Sequence, residues 1–345
     1  MKIQVNARNR AHHFEAAPAE KILHAGLSRA VGLPYECGSG TCGTCKARLL
    51  SGKIDDHWPD APGRKYLKHA DDFLMCQCSA HGDVTVEVAG YVQESDPGGC
   101  VPLAQQGRVR AATLLTHDVM ELDVELETPL DFDAGQFVLV RMGDVPGARG
   151  WSMVNHERGA RALQFVVKRK PGGALSEWLF TGAPEGAAVD VYGPLGSATF
   201  YPAVAKHILC IAGGSGIAGM MSILARAARE RYFDTYRGDV FFGVRTMKDA
   251  FYLDRFAKLR DDCGEQLKVT VALSEEPASD EWRARYPQLA FDGGFVHEVA
   301  GKHMQGRLQD VRAYLAGPPP AVEASVRMLL MARVSTANIR YDKFS

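Results

Sequence analysis

Cys37-Gly38-Ser39-Gly40-Thr41-Cys42-Gly43-Thr44-Cys45 is the stretch on which the reading of this chain turns. Three cysteines stand at C-x4-C-x2-C spacing, and thirty residues later comes Cys76-Gln77-Cys78. That spacing suits a 2Fe–2S cluster, whose two irons need four thiolates. A short loop wraps only part of such a cluster, so the fourth thiolate must arrive from elsewhere, and Cys76 and Cys78 both qualify. Gly38, Gly40 and Gly43 let main-chain N–H groups approach the sulfurs and offset their negative charge. The same thiolates could hold structural zinc. Zinc sites usually pair two short C-x2-C hooks, however, and a glycine-lined C-x4-C-x2-C matches that poorly.

Working outward, the chain has 345 residues, enough for two or three domains. Its 40 Lys+Arg and 41 Asp+Glu nearly cancel, over the first 96 residues as over the rest. Neither part has the basic excess that nucleic acid or an anionic membrane would attract, so neither is expected as a partner. The opening Met1–Arg8 has no apolar stretch of the secretory kind, and a cytoplasmic protein with reduced thiols is expected. Cys78, Cys100, Cys210 and Cys263 then read as small buried residues or bystanders. From Ile208 to Ala225 no charge occurs, but Gly213, Gly214, Ser215, Gly216 and Gly219 interrupt the run. Strand, tight turn and helix explain it better than a membrane span.

Three blocks emerge. Residues 1–94 hold the cysteine motif between two alternating segments, around Ile3/Val5 and at Val84–Val88, both expected as strands. Residues 95–102, with two Pro and two Gly, read as a linker. Residues 103–201 carry short apolar runs (124–126, 137–140, 163–167, 189–191) at β-barrel spacing. Residues 202–345 alternate strands, at 208–212, 240–244, 268–273 and 313–316, with helices at 220–231 and 320–333. That pattern predicts a parallel sheet covered by helices.

Pro34-Tyr35-Glu36-Cys37 through Lys46-Ala47-Arg48-Leu49 resembles the ferredoxin domain of bacterial oxygenase reductases, in which a plant-type ferredoxin is fused to a ferredoxin–NADP reductase-like flavoprotein. The resemblance implies an α+β multidomain chain: a β-grasp 2Fe–2S domain, an antiparallel β-barrel FAD domain and an α/β NAD domain. It favours Cys76 as the fourth ligand beside Cys37, Cys42 and Cys45, because the family's last ligand stands seven residues before an Asp opening the final strand, here Asp83. Arg149-Gly150-Trp151-Ser152-Met153 is similar to the family's R-x-Y-S flavin motif. Arg149 is thereby expected on the FAD pyrophosphate and Ser152 on flavin N5. Trp151 replaces the usual Tyr; it either stacks on the isoalloxazine or fills the barrel core. Val166, Val167 and Lys168 match the next flavin strand. Gly173, Ala174, Leu175 and Ser176 match the pyrophosphate loop, with Ser176 expected to cap a helix beginning at Glu177.

Gly213-Gly214-Ser215-Gly216 resembles the family's dinucleotide loop, with Gly219 where its Pro would stand. Gly243, Val244 and Arg245 match the second nucleotide segment. Gly317 and Pro318 match the segment beside the nicotinamide, where Ala316 replaces the usual Cys. Phe344 matches a C-terminal aromatic near the flavin. The implied activity is electron transfer from NADH through FAD to the 2Fe–2S cluster, then to the terminal oxygenase of an aromatic or hydrocarbon hydroxylating system. The acceptor would dock transiently at the ferredoxin domain, and motion about the linker would present the cluster first to flavin and then to partner. The reductase partner of a deoxysugar dehydratase shares this layout, and a non-catalytic zinc or redox-sensing module is a further alternative. No side chain is expected as a general base. His12-His13 read as solvated surface.

Overall fold

The computed structural model describes residues 1–94, 99–143 and 145–342. Phe344 and residues 95–98 of the expected linker lie outside them. The first part contains β1 (Lys2–Asn6), β2 (Ala11–Glu15), α1 (Ile22–Leu27), β3 (Val31–Gly32), β4 (Lys46–Ser51), β5 (Ile54–Asp56), β6 (Asp72–Leu74), β7 (Cys78–Ala80), β8 (Val84–Glu87) and β9 (Gln93–Glu94). Its main sheet has the order β2-β1-β8-β4-β6, with β1 parallel to β8. The two alternating segments thus lie side by side, and Ile3, Val5, Val84 and Val86 face one core. The period of two also corrects the reading of the histidine pair. On β2, His13 is exposed but His12 points inward and is buried.

The second part is β10 (Leu103–Leu114), β11 (Val119–Leu130), β12 (Phe137–Met142), β13 (Arg149–Ser152), β14 (Ala160–Lys168), α2 (Ala174–Thr181) and β15 (Ala188–Leu195). They form one antiparallel sheet, β13-β12-β15-β10-β11-β14. The expected apolar runs are the buried centres of longer strands. The third part is β16 (His207–Gly213), α3 (Ile217–Arg229), β17 (Gly238–Val244), α4 (Leu253–Cys263), β18 (Leu267–Leu273), α5 (Asp280–Arg285), β19 (Ala290–Gly293), α6 (Val296–His303), β20 (Val311–Ala316), α7 (Pro319–Met331) and β21 (Ile339–Tyr341). All neighbours in its sheet, β19-β18-β17-β16-β20-β21, are parallel. β16 is apolar throughout because both of its faces are covered: Ile208, Cys210 and Ala212 enter one core, Leu209 and Ile211 the other. The strand order reverses between β16 and β20, the kind of place where α/β sheets bind ligands.

The three parts pack on one another. Glu121 of β11 accepts two hydrogen bonds from Arg255 of α4, each 2.8 Å, and a third from the Tyr252 hydroxyl. Ser222 of α3 accepts from the Gly135 N–H at 2.9 Å. On the other side Phe137, Leu139, Tyr192 and Leu195 of the barrel belong to the core of the first part. The Tyr192 hydroxyl donates to the His24 carbonyl (3.0 Å), and its ring stacks on His24 at 3.7 Å. Beyond the expected linker, then, an apolar interface holds the first part to the barrel. Moving that part would expose Phe137 and Leu139.

Candidate redox site

The cysteine loop closes on itself through its glycines. Gly38, Gly40 and Gly43 have φ of +63°, +89° and +77°, a region where only glycine is unstrained. A Cβ on Gly43 would lie 2.6 Å from the Tyr66 ring, and one on Gly40 2.9 Å from Gln77 Nε2. The loop is therefore cast around its surroundings. Cys37, Cys45 and Cys76 are buried, while Cys42 is half-buried and faces outward. Cys45 Sγ lies 3.2 Å from Cys76 Sγ, and the Cys42 N–H donates to Cys37 Sγ at 3.4 Å. A hydrogen bond from the Cys42 thiol pulls Cys37 down, and one from Cys45 pulls Cys76 down. Cys78, by contrast, lies on β7, where burial pushes its thiol up to about 12. Of the two candidates for the fourth position, the structure puts Cys76 against the loop. Four sulfurs, three of them sheltered and supplied with N–H donors, fit the thiolate demand of a 2Fe–2S cluster.

The inner side of the loop meets the barrel. A Cβ on Gly38 would touch Leu139 at 3.2 Å and Leu195 at 3.6 Å. The Tyr35 hydroxyl accepts from the Gly196 N–H at 3.0 Å, and burial raises that phenol to about 12. Leu139 sits on β12, and its neighbour β13 carries Arg149, Trp151 and Ser152, with Ser152 paired to Phe137. Adjacent strands are about 4.8 Å apart, so one strand spacing separates the cysteine-loop contact from the flavin motif.

Within that motif Arg149 is half-buried, and burial lowers its guanidinium. It donates to the carbonyls of Pro146 (3.3 Å) and Ala148 (3.1 Å), and among the described residues no carboxylate pairs with it. A guanidinium so placed fits an anionic ligand such as a pyrophosphate. Trp151 is buried in the barrel core against Phe165, with ring centres 5.4 Å apart. Its ring is core packing here, the second of its two readings. Met153 is buried in the same core. On β14, Val167 also points into it, while Val166 faces the third part and Lys168 pairs with Asp118 at 3.1 Å. The helix expectation at Ser176 is corrected. α2 begins at Ala174 with Gly173 as its N-cap, because the turn is made at Gly172 with φ +71°. Ser176 Oγ folds back, accepting from the Lys170 N–H at 3.0 Å. Leu175 is buried beneath.

The nucleotide loop and the segment after β20 meet backbone to backbone. A Cβ on Gly216 would fall 2.6 Å from Ala316 C and Gly317 N, and one on Gly317 2.9 Å from Gly213 N. Gly214, at φ +54°, has open space beside it, and Ser215 follows it in the same turn. Pro318 begins α7 as its cap. Gly219 abuts Ser152: a Cβ on it would lie 3.4 Å from the Ser152 Cβ. A small cleft is lined here by Ser152, Gly216, Gly219, Ala316 and Asp342, drawing on both domains. Asp342 had no signal in the sequence; burial, then the charge of Glu36, pushes its carboxyl up to about 7. Farther out, Gly243 touches Val296 of α6, and Val244 is buried. Arg245 pairs with Asp249 at 3.2 Å and approaches Asp118 at 3.9 Å. His117, Asp118 and Asp249 stand close enough to ligate a cation, but Lys168 and Arg245 already supply their positive charge.

Known proteins point the same way. Residues 5–81 match the 2Fe-2S iron-sulfur cluster binding domain, 106–200 the oxidoreductase FAD-binding domain and 210–327 the oxidoreductase NAD-binding domain. The chain is 35% identical to the ferredoxin–NAD(P)(+) reductase CarAd of Metapseudomonas resinovorans, over 94% of each chain. It is 29% identical to the xylene/toluene monooxygenase electron transfer component XylA of Pseudomonas putida, over 99% of this chain and 93% of that one. The solved ferredoxin reductase in carbazole 1,9a-dioxygenase superposes with a TM-score of 0.84 at 34% identity, covering 100% of this chain and 99% of that one. The cysteine loop, the flavin strand and the dinucleotide turn thus belong to an oxidoreductase that uses NADH, FAD and a 2Fe–2S cluster, and the chain is a member of the oxygenase reductase family with an N-terminal plant-type ferredoxin domain.

Proposed function

We propose that this reductase feeds electrons from NADH to the terminal oxygenase of an aromatic or hydrocarbon hydroxylating system, working in the cytoplasm with transient docking at its ferredoxin domain. The observation that carries the reading is spatial. Ser152 faces Gly219 across the cleft between barrel and nucleotide domain, while the other face of the same barrel edge holds the cysteine loop through Leu139 and Leu195. When bound, FAD supplies the step from two-electron to one-electron chemistry, which no side chain can perform.

The chain's residues place and shield. Arg149 and the Gly173–Ser176 turn, with Ala174 and Leu175, hold the FAD pyrophosphate end. Ser152 offers its hydroxyl to the flavin edge, with Met153, Val166, Val167 and Lys168 completing the wall and Trp151 bracing the strand from within the core. Gly213, Gly214, Ser215 and Gly216 bring main-chain N–H groups to the NADH pyrophosphate at the start of α3. Gly243, Val244 and Arg245 border the adenosine side, and Gly317 and Pro318 border the nicotinamide. Cys37, Cys42, Cys45 and Cys76 ligate the cluster. Phe344 is assigned to the flavin by sequence resemblance alone. Cys42, the half-buried ligand, precedes Gly43, which packs on the Tyr66 ring, and Tyr66 is 48% exposed. This exposed edge is where the acceptor reaches the cluster.

Support also comes from relatives whose names couple them to aromatic dioxygenases and monooxygenases. Among the described residues no helix is long and apolar enough to cross a membrane. The test is reconstitution of the purified reductase with candidate oxygenase components, following NADH-dependent product formation. NADH-driven reduction of the reductase that never reaches any oxygenase, in the presence of substrate, would count against the proposal.

A further inference from the structure

We infer that Lys21 and Gln77 together tune the 2Fe–2S cluster, raising its reduction potential by placing a half-buried positive charge behind the Cys76 ligand. The inference rests on the ligand assignment above and deepens it.

Lys21 directly precedes α1, and its backbone is fixed from two sides. It forms an antiparallel bridge with Ser79, and the next turn is tied to the cysteine segment by the Leu23 N–H donating to the Met75 carbonyl at 3.0 Å. The side chain therefore runs beside Cys76-Gln77-Cys78. Its ammonium reaches Gln77 Oε1 at 3.5 Å. Gln77 is buried, and its Nε2 donates to Cys76 Sγ at 3.3 Å. The same amide packs against Gly40 of the loop, which leaves it little room to turn away. One amide thus links an ammonium to a ligand sulfur, and the ammonium's field strengthens the N–H donated to that sulfur.

What balances the ammonium matters most. Among the described residues no carboxylate pairs with Lys21. Burial disfavours its charge; the groups that restore it are the sulfurs of Cys76, Cys78 and Cys45, and Arg141 opposes them. Arg141 is itself paired with Asp190 at 2.6 Å. A half-buried cation without a carboxylate needs another anion, and the group that most favours its charge is the sulfur of the Cys76 ligand. A cluster gains one negative charge on reduction, so a fixed cation nearby favours its reduced form. Nothing in the sequence spacing marks either residue. Lys21 precedes a six-residue helix, and Gln77 is the spacer between two cysteines.

The test is a potentiometric titration of the full FAD-loaded chain, with cluster reduction read by electron paramagnetic resonance and flavin by absorbance. In Lys21→Met the ratio of reduced to oxidised cluster at a fixed potential should fall about tenfold, equal to about 59 mV for a one-electron couple, with the flavin unchanged. Lys21→Arg should keep the wild-type ratio, and Gln77→Leu should shift it in the same direction as Lys21→Met. A cluster-loaded Lys21→Met with the wild-type ratio overturns the inference, and so does a Lys21→Arg that falls as far as the methionine variant. If Lys21→Met does not assemble a cluster, Gln77→Leu decides, and an unshifted ratio there overturns it. A wild-type chain without a cluster signal would sink the ligand assignment itself, a failure distinct from an unshifted potential.

Discussion

Gly216→Ala isolates the nucleotide site from the rest of the molecule. Gly216 has φ −60° and ψ −16°, a helical conformation that alanine adopts freely, so the substitution carries no backbone strain. Its whole cost falls on contact. The new Cβ would stand 2.6 Å from Ala316 C and Gly317 N and 2.8 Å from Gly317 Cα. These are main-chain atoms and cannot swing aside. Overpacking of this kind costs about 1–3 kcal/mol. If the strain is met by separating the two segments that border the coenzyme, NADH binding weakens roughly 5- to 150-fold. The neighbouring Gly219→Ala is the control, because its Cβ would be 3.4 Å from Ser152, an ordinary contact that changes NADH affinity by less than about twofold. Anaerobic stopped-flow bleaching of the flavin across NADH concentrations gives both values. The visible spectrum of the oxidised protein should stay that of wild type. A Gly216→Ala protein that binds NADH as wild type, or one disturbed no more than Gly219→Ala, would refute the placement of the coenzyme on this turn.

Other predictions concern the remaining centres. Arg149→Ala removes a charged donor from the FAD pyrophosphate and should weaken FAD retention by about 1.5–3 kcal/mol, read as flavin fluorescence released on dilution; undiminished retention would contradict the assignment. Cys76→Ser should abolish the cluster absorbance while Cys78→Ser keeps it, and the reverse pattern would exchange the ligands. His24, whose imidazole burial lowers to about 3, stays neutral in the folded state. Its contribution to stability is full above about pH 6.5 and is lost as pH falls toward 3, at about 1.4 kcal/mol per unit in between. Denaturant unfolding at pH 7.5 and 5.5 should therefore show a smaller acid loss in His24→Phe, which can keep the stack on Tyr192; identical losses in the two proteins would rule the histidine out.

What the sequence revealed was what lies close together along it. Cys37, Cys42 and Cys45 sit within one loop, and the turn at Gly213–Gly216 follows an unbroken apolar strand, so spacing alone conveyed both. The fourth ligand was not settled by spacing, because Cys76 and Cys78 are near neighbours. The Cys45–Cys76 contact separates them, and it depends on the pairing of β4 with β6. Ser176 was misread because capping propensity placed the N-cap on a serine, whereas the turn at Gly172 starts the helix three residues earlier. β10 was overlooked since much of it faces solvent and its apolar residues do not alternate, with only Val109 buried. Trp151 resembles a flavin-stacking residue in sequence, yet the barrel core takes its ring. Tyr66, Gln77, Lys21 and Asp342 reach the site only through tertiary contacts, and Tyr192, on a strand expected for its valines, becomes the hydrogen-bonding anchor between ferredoxin domain and barrel. The expected linker motion likewise meets an interface that composition could not foretell.

The central claim is an unbroken path from NADH through FAD to the cluster held by Cys37, Cys42, Cys45 and Cys76. Anaerobic purification followed by an NADH titration of the visible spectrum tests it most directly. The account predicts flavin bands overlaid on iron–sulfur absorbance, with both bleached by NADH and iron rather than zinc on metal analysis. A featureless spectrum with bound zinc, or a flavin that NADH reduces while the cluster stays oxidised, would contradict it.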